Sequence, residues 1–446
     1  MTEVKEKKPL SVRFMENTGW MIFRNVYSML VSLIVGSLSA RYLGPSNYGL
    51  LGYANAYIAF FTTISKLGLD SVVVAEMARK PEKEGNYLGS ALAMRLVTSV
   101  VSFFMIWIII TWVEPDNQLL QVVTVLQSLA LIFQSAETLY FWFQVRLEMK
   151  YVTLTNMLAL TITGIWRLSL LARRASVKWF ALSSSISALV CCVFITVIFI
   201  RTAKLRLKVS KKDSSFLLSH SYHFIIEGLA VTAYLELDRL MLGNMLDETA
   251  VGFYTSASTL AVMWEFVPNS IINSAGPILI NLYDKDRTDF TEKFQVLLLS
   301  IMVMGLVVGI GFMLLGKLVV FILYGEAYYP AVPALHILIW STTFAMLGVA
   351  RSIWILSERK GKYAKYFTIF GACMNGLLNY LLIPVMGVTG AALTTLFTQA
   401  SVAIVAPMLF EDTRPYNKLF FGAFRQFPNL WRIGKNYWDN KYKRRV

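Results

Sequence analysis

Ionisable side chains inside long apolar stretches are the residues of this sequence best suited to chemistry. We expect five of them towards one end of their stretches: Arg24, Arg95, Glu137, Glu265 and Arg351. An arginine presents a planar fork of N–H donors that binds two oxygens of a phosphate or pyrophosphate at once. A carboxylate in apolar surroundings carries a proton or binds a cation. The combination predicts an anion-binding site, with Glu137 and Glu265 as candidates for coupling to an ion.

The segment YFWFQVRLEMKY, which begins at Tyr140, changes abruptly from aromatic to charged residues. We expect Tyr140 and Trp142 at the end of a membrane helix, with Arg146 and Lys150 as its polar anchor. An aromatic belt with a basic flank is typical of a membrane interface. The alternative is a binding role, in which Arg146 contacts phosphate and Tyr140 or Trp142 stacks on a sugar ring.

A second group of charges, Arg167, Glu236, Asp238 and Arg239, is expected towards the opposite end of the apolar stretches. Adjacent residues on a helix point about 100° apart, so Asp238 and Arg239 do not form an obvious pair. Two readings of Asp238 remain open. It either extends to the membrane surface or binds a coupling cation or proton.

Neither a cofactor nor a metal site is predicted. The stretch from Gly305 to Gly311 follows no strand and lies among apolar residues, so it is not a nucleotide-binding loop. His220 and His223 share a helical face, but no further metal ligands gather near them. The three cysteines, Cys191, Cys192 and Cys373, have no framework spacing. The sequence also shows no catalytic constellation.

The composition predicts a membrane protein. Of 446 residues, 56% are hydrophobic and only 15% are charged, and the mean hydropathy is +0.55. Soluble domains carry roughly a quarter charged residues. The formal net charge of +15 could indicate nucleic-acid binding. We instead expect the basic residues to lie in cytoplasmic loops, where they orient the helices, and we predict no nucleic-acid partner.

Apolar stretches of about twenty residues recur along the whole chain, each long enough to cross roughly 30 Å of hydrocarbon. They predict an all-α, multi-pass protein with about twelve membrane helices. The approximate spans are 18–40, 47–66, 88–113, 119–143, 151–173, 177–200, 216–243, 250–272, 292–315, 331–356, 365–384 and 388–410.

The connections between these spans alternate in charge. One set is rich in lysine and arginine, and the other is nearly free of cations except for Arg41, Arg173, Arg174 and Lys178. The positive-inside rule therefore places both termini in the cytoplasm of a cell membrane. The basic N-terminus resembles that of a signal peptide, but the first apolar stretch is long enough to span, so we expect a retained helix.

The longest basic connection divides the chain into two halves of six helices. We predict an N-terminal lobe at 1–205, a basic linker at 206–215, a C-terminal lobe at 216–412 and a basic amphipathic cytoplasmic tail at 413–446. Two six-helix lobes joined in this way are typical of transporters that open alternately to the two sides of the membrane. The tail is expected to lie on the cytoplasmic leaflet.

Six segments resemble one family, the polysaccharide or oligosaccharide-lipid flippases (Wzx-type, O-antigen translocase-like) of the multidrug/oligosaccharidyl-lipid/polysaccharide exporter superfamily. These are ARYLGPSNYGLLGYANAYIAFF from Ala40, KLGLD from Lys66, LYFWFQVRLEMKY from Leu139, LDRLMLGNMLDETAVGFYTSAS from Leu237, LYGEAYYPAVPALHIL from Leu323 and GVTGAALTT from Gly387. Each is a loose pattern, but their order and spacing together are fairly specific, and they extend over nearly the whole chain.

The resemblance implies two lobes around a central cavity and a cargo of oligosaccharide linked through pyrophosphate to a polyprenol. Such a carrier serves surface-polysaccharide assembly, for example of lipopolysaccharide, beside other assembly proteins. The family's first helix lines the cavity, which makes Arg24 the leading phosphate-binding candidate, followed by Arg351 and Arg95. Asp238 falls at the family's acidic position in the seventh helix, so the resemblance also favours it as a site for a coupling proton or sodium ion.

Two other functions are alternatives for a chain of this kind. A cation-coupled multidrug exporter would share the fold, but organic cations prefer acidic cavities, whereas several intramembrane residues here are arginines. A membrane-embedded polysaccharide polymerase or glycosyltransferase would need a large external loop for its catalytic groups. Every predicted external loop is only a few residues long. We therefore expect a transporter rather than an enzyme.

Overall fold

The computed structural model describes residues 10–203 and 205–427, and all regular structure in these ranges is helical. Fourteen α-helices are numbered in chain order; short 3₁₀ and π turns connect some of them. They are α1 Leu10–Lys66, α2 Leu69–Arg79, α3 Glu84–Val113, α4 Gln118–Gln134, α5 Tyr140–Val145, α6 Met149–Ala172, α7 Val177–Thr202, α8 Lys211–Met245, α9 Glu248–Val262, α10 Phe266–Lys285, α11 Arg287–Leu323, α12 Val332–Ser357, α13 Ala364–Ala400 and α14 Pro415–Gly422.

Eight helical stretches of the described chain are long and apolar enough to cross a membrane. The 57 residues of α1 would extend about 85 Å if straight, nearly three times the hydrocarbon thickness. Non-helical backbone at Gly44 interrupts α1, and Gly387 does the same in α13. Counting both halves of these helices, and adding α8 and α9–α10, gives twelve passes in the described ranges. This confirms the predicted fold class.

The interruption of α13 is a tight reversal. Gly387 has φ 57° and ψ −133°, a backbone region that only glycine enters without strain. Three residues later, a Cβ at Gly390 would overlap the carbonyl oxygen of Leu382. Residues eight apart in a continuous helix would be about 12 Å apart, so the two halves must run back along each other. The motif GVTGAA therefore encodes a helical hairpin.

The chain forms two compact units, Met1–Glu236 and Leu237–Val446. The first contains a core in which Leu69, Val73 and Met77 of α2 pack with Tyr87 of α3 and with the aromatic residues of α5. Leu217 of α8 belongs to the same core, and Thr63 of α1 hydrogen-bonds Thr232 of α8 at 2.7 Å. The first part of α8 therefore packs with α1 to α7, and the boundary between the two compact units lies within α8. The predicted lobes and the predicted linker at 206–215 stay predictions.

The second unit has its own apolar core. Phe290 and Phe294 of α11 stack with their rings 5.5 Å apart, and Trp354 of α12 contacts Tyr416 of α14. Tyr416 and Phe420 are buried, so the beginning of the predicted tail packs into this core rather than standing apart from it. The remainder of the predicted tail, 428–446, lies outside the described residues.

Small residues bring α11 and α12 close together. A Cβ at Gly309 would lie 2.7 Å from the ring of Trp340, and one at Gly305 would overlap the side chain of Thr343. Glycines spaced by four on one face allow such close contact between membrane helices. The sequence GLVVG in α11 thus serves helix packing.

Candidate functional site

The first unit contains a polar cavity of about 330 Å³ among α1, α4, α7 and α8. A few apolar side chains and a larger number of polar side chains line this cavity. The polar lining residues are Asn55, Thr62, Thr63, Gln127, Gln134, Ser184, Thr232 and Glu236. Such a set of amides, hydroxyls and one carboxylate is unusual within membrane helices, where each unpaired polar group costs several kcal/mol.

A second cavity of about 220 Å³ lies among α1, α6 and α7, and it shares Ser184 with the first. Its polar lining consists of hydroxyls and one guanidinium. These belong to Ser32, Thr163, Arg167, Ser183, Ser184 and Ser187. Arg167 therefore lines a polar cavity among the described residues, although its sequence position predicts only that it lies among charges at the opposite end of the spans.

Local hydrogen bonds explain how the helices tolerate these residues. Thr62 and Thr63 donate to the carbonyls of Ile58 and Ala59, one turn earlier on α1, and Ser184 donates to that of Ala181. Each hydroxyl proton is thus satisfied within its own helix, while the oxygen remains an acceptor. The run of serines at 183–185 in α7 is the sequence signal that could have predicted the cavity.

Arg24 lies on α1, half-buried, with Nη2 donating to Asn25 Oδ1 at 3.3 Å. Among the described residues it forms no ion pair with a carboxylate. The same helix packs against α6, where Tyr27 and Thr161 share a 2.6 Å hydrogen bond. Arg24 and Arg167 therefore lie on two paired helices of one unit.

Arg95 and Glu137 belong to an internal charge cluster. Arg95 is only 3% exposed, and its Nη1 lies 3.9 Å from the carboxylate of Asp70 at the start of α2. Glu137 interacts electrostatically with Arg95 and with Lys66, from a 3₁₀ turn between α4 and α5. The structure brings together two predicted site residues of opposite charge, and each compensates the other. This charge compensation explains why Arg95 and Glu137 are tolerated in the interior. The roles of Arg95 in binding and of Glu137 in coupling stay predictions.

Arg146 pairs with Glu84, with Nη2 2.7 Å from Oε2, and its guanidinium lies 4.1 Å from the ring centre of Trp142. The Trp142 ring also packs edge-on against Phe143 and Phe199 and is 5% exposed. Tyr140 packs against the same core. These contacts tie the end of α5 to the start of α3, a structural role; sugar stacking by Tyr140 or Trp142 stays a prediction.

Arg351 lies in the core of the second unit, 6% exposed. Its guanidinium donates to the carbonyl of Val402 and lies 4.5 Å from the ring centre of Phe367 and 6.0 Å from that of Tyr416. A buried guanidinium between two aromatic rings and a carbonyl is a packing element of α12, α13 and α14.

We therefore expect Arg351→Ala to destabilise the protein. It removes a carbonyl hydrogen bond and two cation–π contacts and leaves a cavity, together about 2–4 kcal/mol. The melting temperature of the purified protein and its abundance in membranes should both fall. Arg425→Ala, at an exposed arginine of the same unit, is the control and should change neither. An unchanged melting temperature in Arg351→Ala would contradict the packing role.

Asp238 is the centre of a buried polar cluster in the second unit and is 3% exposed. Its Oδ1 accepts from Asn375 at 3.0 Å and from Asn379 at 2.6 Å, while its Oδ2 accepts from Thr395 at 2.8 Å and from Tyr254. These partners lie on α9 and on both halves of α13, so the hairpin at Gly387 brings Thr395 beside Asn375 and Asn379.

The Asp238 cluster is rich in oxygen. Besides the carboxylate it holds two amide oxygens and two hydroxyls, and Asn379 Oδ1 is buried with no partner among the described residues. The oxygen and nitrogen of an asparagine amide exchange places by a simple rotation. The cluster can therefore present a carboxylate, amide oxygens and hydroxyls to one hard cation, the ligands that such ions prefer.

Glu265 lies at another helix interruption, the 3₁₀ turn between α9 and α10. The neighbouring Trp264 donates to Thr342 at 2.9 Å, but Glu265 itself forms no ion pair among the described residues. The structure places Asp238 and Glu265 in the same unit without joining them through any hydrogen bond found in the described chain. The role of Glu265 as a proton carrier stays a prediction.

Residues 14–283, more than half of the chain, match the family model described as polysaccharide biosynthesis protein. The chain belongs to this family. The comparison with curated protein sequences gave no match. The predicted resemblance is confirmed at the level of the family.

Solved structures share the fold at low sequence identity. The lipid II flippase MurJ, in an inward closed conformation, gives a TM-score of 0.70 at 15% identity, with 95% of this chain and 93% of that chain covered. An inward-facing multidrug resistance MATE family transporter of the MOP superfamily gives 0.65 at 14%, covering 93% and 99%. The eukaryotic MATE transporter AtDTX14 gives 0.56 at 14%, covering 92% and 100%. The family member is thus a multi-pass membrane protein with the fold of these transporters.

Proposed function

We propose that this family member flips a polyprenyl-pyrophosphate-linked oligosaccharide from the inner to the outer leaflet of the cell membrane by alternating access. The family match and the likeness in fold to MurJ and the MATE transporters support transport. The distribution of lysine and arginine supports an orientation with both termini in the cytoplasm. Surface polysaccharide is the proposed end product.

The observation that carries the proposal is the pair of polar cavities that share Ser184. Sugar hydroxyls cannot enter hydrocarbon unpaired, because each costs several kcal/mol to dehydrate. The amides of Asn55, Gln127 and Gln134 offer both donors and acceptors to such hydroxyls. The lipid tail needs no such chamber, since it stays in the bilayer.

The pyrophosphate requires cationic donors, and we assign these to Arg24 and Arg167 at successive points along its path. The contacts of Tyr27 with Thr161 and of Val35 with Gly164 show that α1 and α6 run in the same direction, so Arg167 lies roughly 15–20 Å along the helix axis from Arg24. Arg167 lines the second cavity, and Arg24 lies on the helix that packs against that of Arg167. Both can offer a fork of N–H donors to two phosphate oxygens. Arg95, Arg146 and Arg351 have local partners instead, so they rank below these two as phosphate ligands.

Coupling to an ion is assigned to Asp238. Its carboxylate accepts hydrogen bonds from three helical segments, and an intramembrane acid of this kind is typical of proton and ion pathways. Binding of sodium or a proton would change the hydrogen bonds that join α8, α9 and the two halves of α13. The ion would thus bias which way the carrier opens.

We expect Arg167→Gln to reduce export at least tenfold without lowering membrane abundance, because it removes the charge from the cavity and keeps hydrogen-bonding capacity. Surface polysaccharide per cell, normalised to the amount of protein in membranes, measures the effect. Arg174→Gln, two turns further along the chain at an exposed position, is the matched control and should export normally. Normal export by Arg167→Gln would remove this residue from the phosphate site.

Deletion of the gene in its native host tests the proposed cargo. We expect one polyprenyl-pyrophosphate-linked oligosaccharide to build up on the cytoplasmic side and surface polysaccharide to disappear, as mass spectrometry of extracted lipids would detect. Unchanged lipid-linked oligosaccharides together with increased sensitivity to cationic drugs would favour the multidrug exporter, whose fold the chain also shares. Accumulation of an incompletely polymerised glycan on the outer side would favour a membrane-embedded enzyme.

A further inference from the structure

The largest cavity described above is polar, yet the first unit also has a wide apolar groove of about 720 Å³. Helices α3, α4 and α7 form three of its walls, with Leu96, Phe133 and Phe199 among the lining side chains. The fourth wall is the extended segment that follows α7, through Leu205 and Leu207. The groove is separate from the polar cavities, since none of its lining residues is shared with them.

The extended segment is held against α3 by close backbone contacts. Lys208 N donates to Gly85 O at 3.1 Å, and Ser210 N donates to Ser90 Oγ at 3.1 Å. A Cβ at Gly85 would overlap the carbonyl oxygen of Arg206, and one at Gly89 would lie 2.8 Å from Lys208 N. These glycines therefore admit the segment as a fixed wall of the groove.

Arg206 is the one charged residue among the described residues that line the groove, and its side chain is exposed. In the described part of the chain it has no ion-pair partner. It follows α7 by a few residues, at the end of a membrane-spanning helix, which is the depth of lipid head groups. Basic pockets between membrane helices on the cytoplasmic side bind anionic head groups.

We propose that this groove binds an anionic phospholipid of the bilayer, with an acyl chain between α3, α4 and α7 and the phosphate on Arg206. Apolar contact alone gives no preference, because lipid tails are as apolar in the bilayer as in the groove. We therefore assign the selectivity to the charge of Arg206. The bound lipid contacts and stabilises the extended segment that leads into α8.

The native cysteines provide the test. Cys192 lines the groove and is half-buried, whereas Cys373 is exposed on α13 of the second unit. In purified full-length Cys191→Ala protein in detergent, the rates at which N-ethylmaleimide alkylates both thiols are followed by peptide mass spectrometry. We expect phosphatidylglycerol to slow alkylation of Cys192 about fivefold more than phosphatidylcholine, as one favourable basic contact predicts. The rate at Cys373 should be the same with both lipids.

Arg206→Gln should remove the advantage of phosphatidylglycerol, while Lys285→Gln, an exposed cation of the second unit, should keep it. Equal protection by both lipids, or an advantage that persists in Arg206→Gln, overturns the proposal in favour of ordinary filling by bulk lipid. Stronger protection by undecaprenyl phosphate than by phosphatidylglycerol also overturns it and assigns the groove to a prenyl chain. These are binding measurements, so they do not depend on whether the protein transports the proposed cargo.

Discussion

Arg24→Ala is expected to abolish surface polysaccharide while the protein remains in the membrane at its normal amount. The arginine has no compensating carboxylate among the described residues, so its removal leaves no buried acid unpaired and should cost little stability. Loss of a bidentate contact to pyrophosphate removes a charge-assisted interaction of about 3 kcal/mol, or more than a hundredfold in transport rate. Arg24→Lys should retain part of the activity, since it keeps the charge but loses the fork.

The matched control for this prediction is Arg41→Ala, an exposed arginine on the same helix. Export and protein abundance should both stay normal in this variant. If Arg24→Ala exports as well as Arg41→Ala does, Arg24 is not a phosphate ligand. If Arg24→Ala instead lowers the melting temperature as Arg351→Ala should, its role is in packing.

Asp238→Asn is expected to stop export and to destabilise the second unit by about 3–5 kcal/mol. Four donors converge on the carboxylate, and an amide in its place would turn an N–H group towards two of them. A ligand that binds only the folded state stabilises it by mass action. The melting temperature of the wild type should therefore rise with sodium at constant ionic strength, or with proton concentration if a proton is the coupling ion.

In Asp238→Asn the dependence on both ions should vanish. Glu265→Gln is the control, since it changes another carboxylate of the same unit that has no ion-pair partner in the described chain. It should keep the ion dependence of the wild type. An Asp238→Asn protein that is still stabilised by sodium or protons would exclude the cluster as the coupling site, and loss of the effect in Glu265→Gln would transfer the role to that residue.

The helices could be predicted from sequence because the hydropathy of a segment shows whether it lies in the hydrocarbon of the membrane or in water. The two arms of the hairpin in α13 could also be predicted, because Pro384 and Gly387 separate two apolar stretches that are predicted as distinct spans. The division between the two units was harder to predict. The position of the division depends on tertiary contacts such as the hydrogen bond between Thr63 and Thr232. The number of charged residues in the linker does not predict such contacts.

The site was predictable only in part, because hydropathy gives the depth of a residue but not the direction in which it faces. Arg24, Arg167 and Arg351 all lie in apolar stretches, yet Arg351 is enclosed by aromatic rings while Arg167 lines a cavity. The partners of Asp238 on α13 are 137 to 157 residues away in sequence. No local pattern connects such residues.

Direct transport in proteoliposomes tests the central claim most sharply. Purified protein is reconstituted with the polyprenyl-pyrophosphate-linked oligosaccharide that accumulates in the deletion strain, and the sugar still accessible to an external lectin is followed over time. We expect wild-type protein to accelerate the loss of external sugar at least tenfold over protein-free liposomes, and Arg24→Ala to return it to that baseline. Identical rates with and without wild-type protein, alongside accelerated movement of an organic cation, would contradict the proposed cargo.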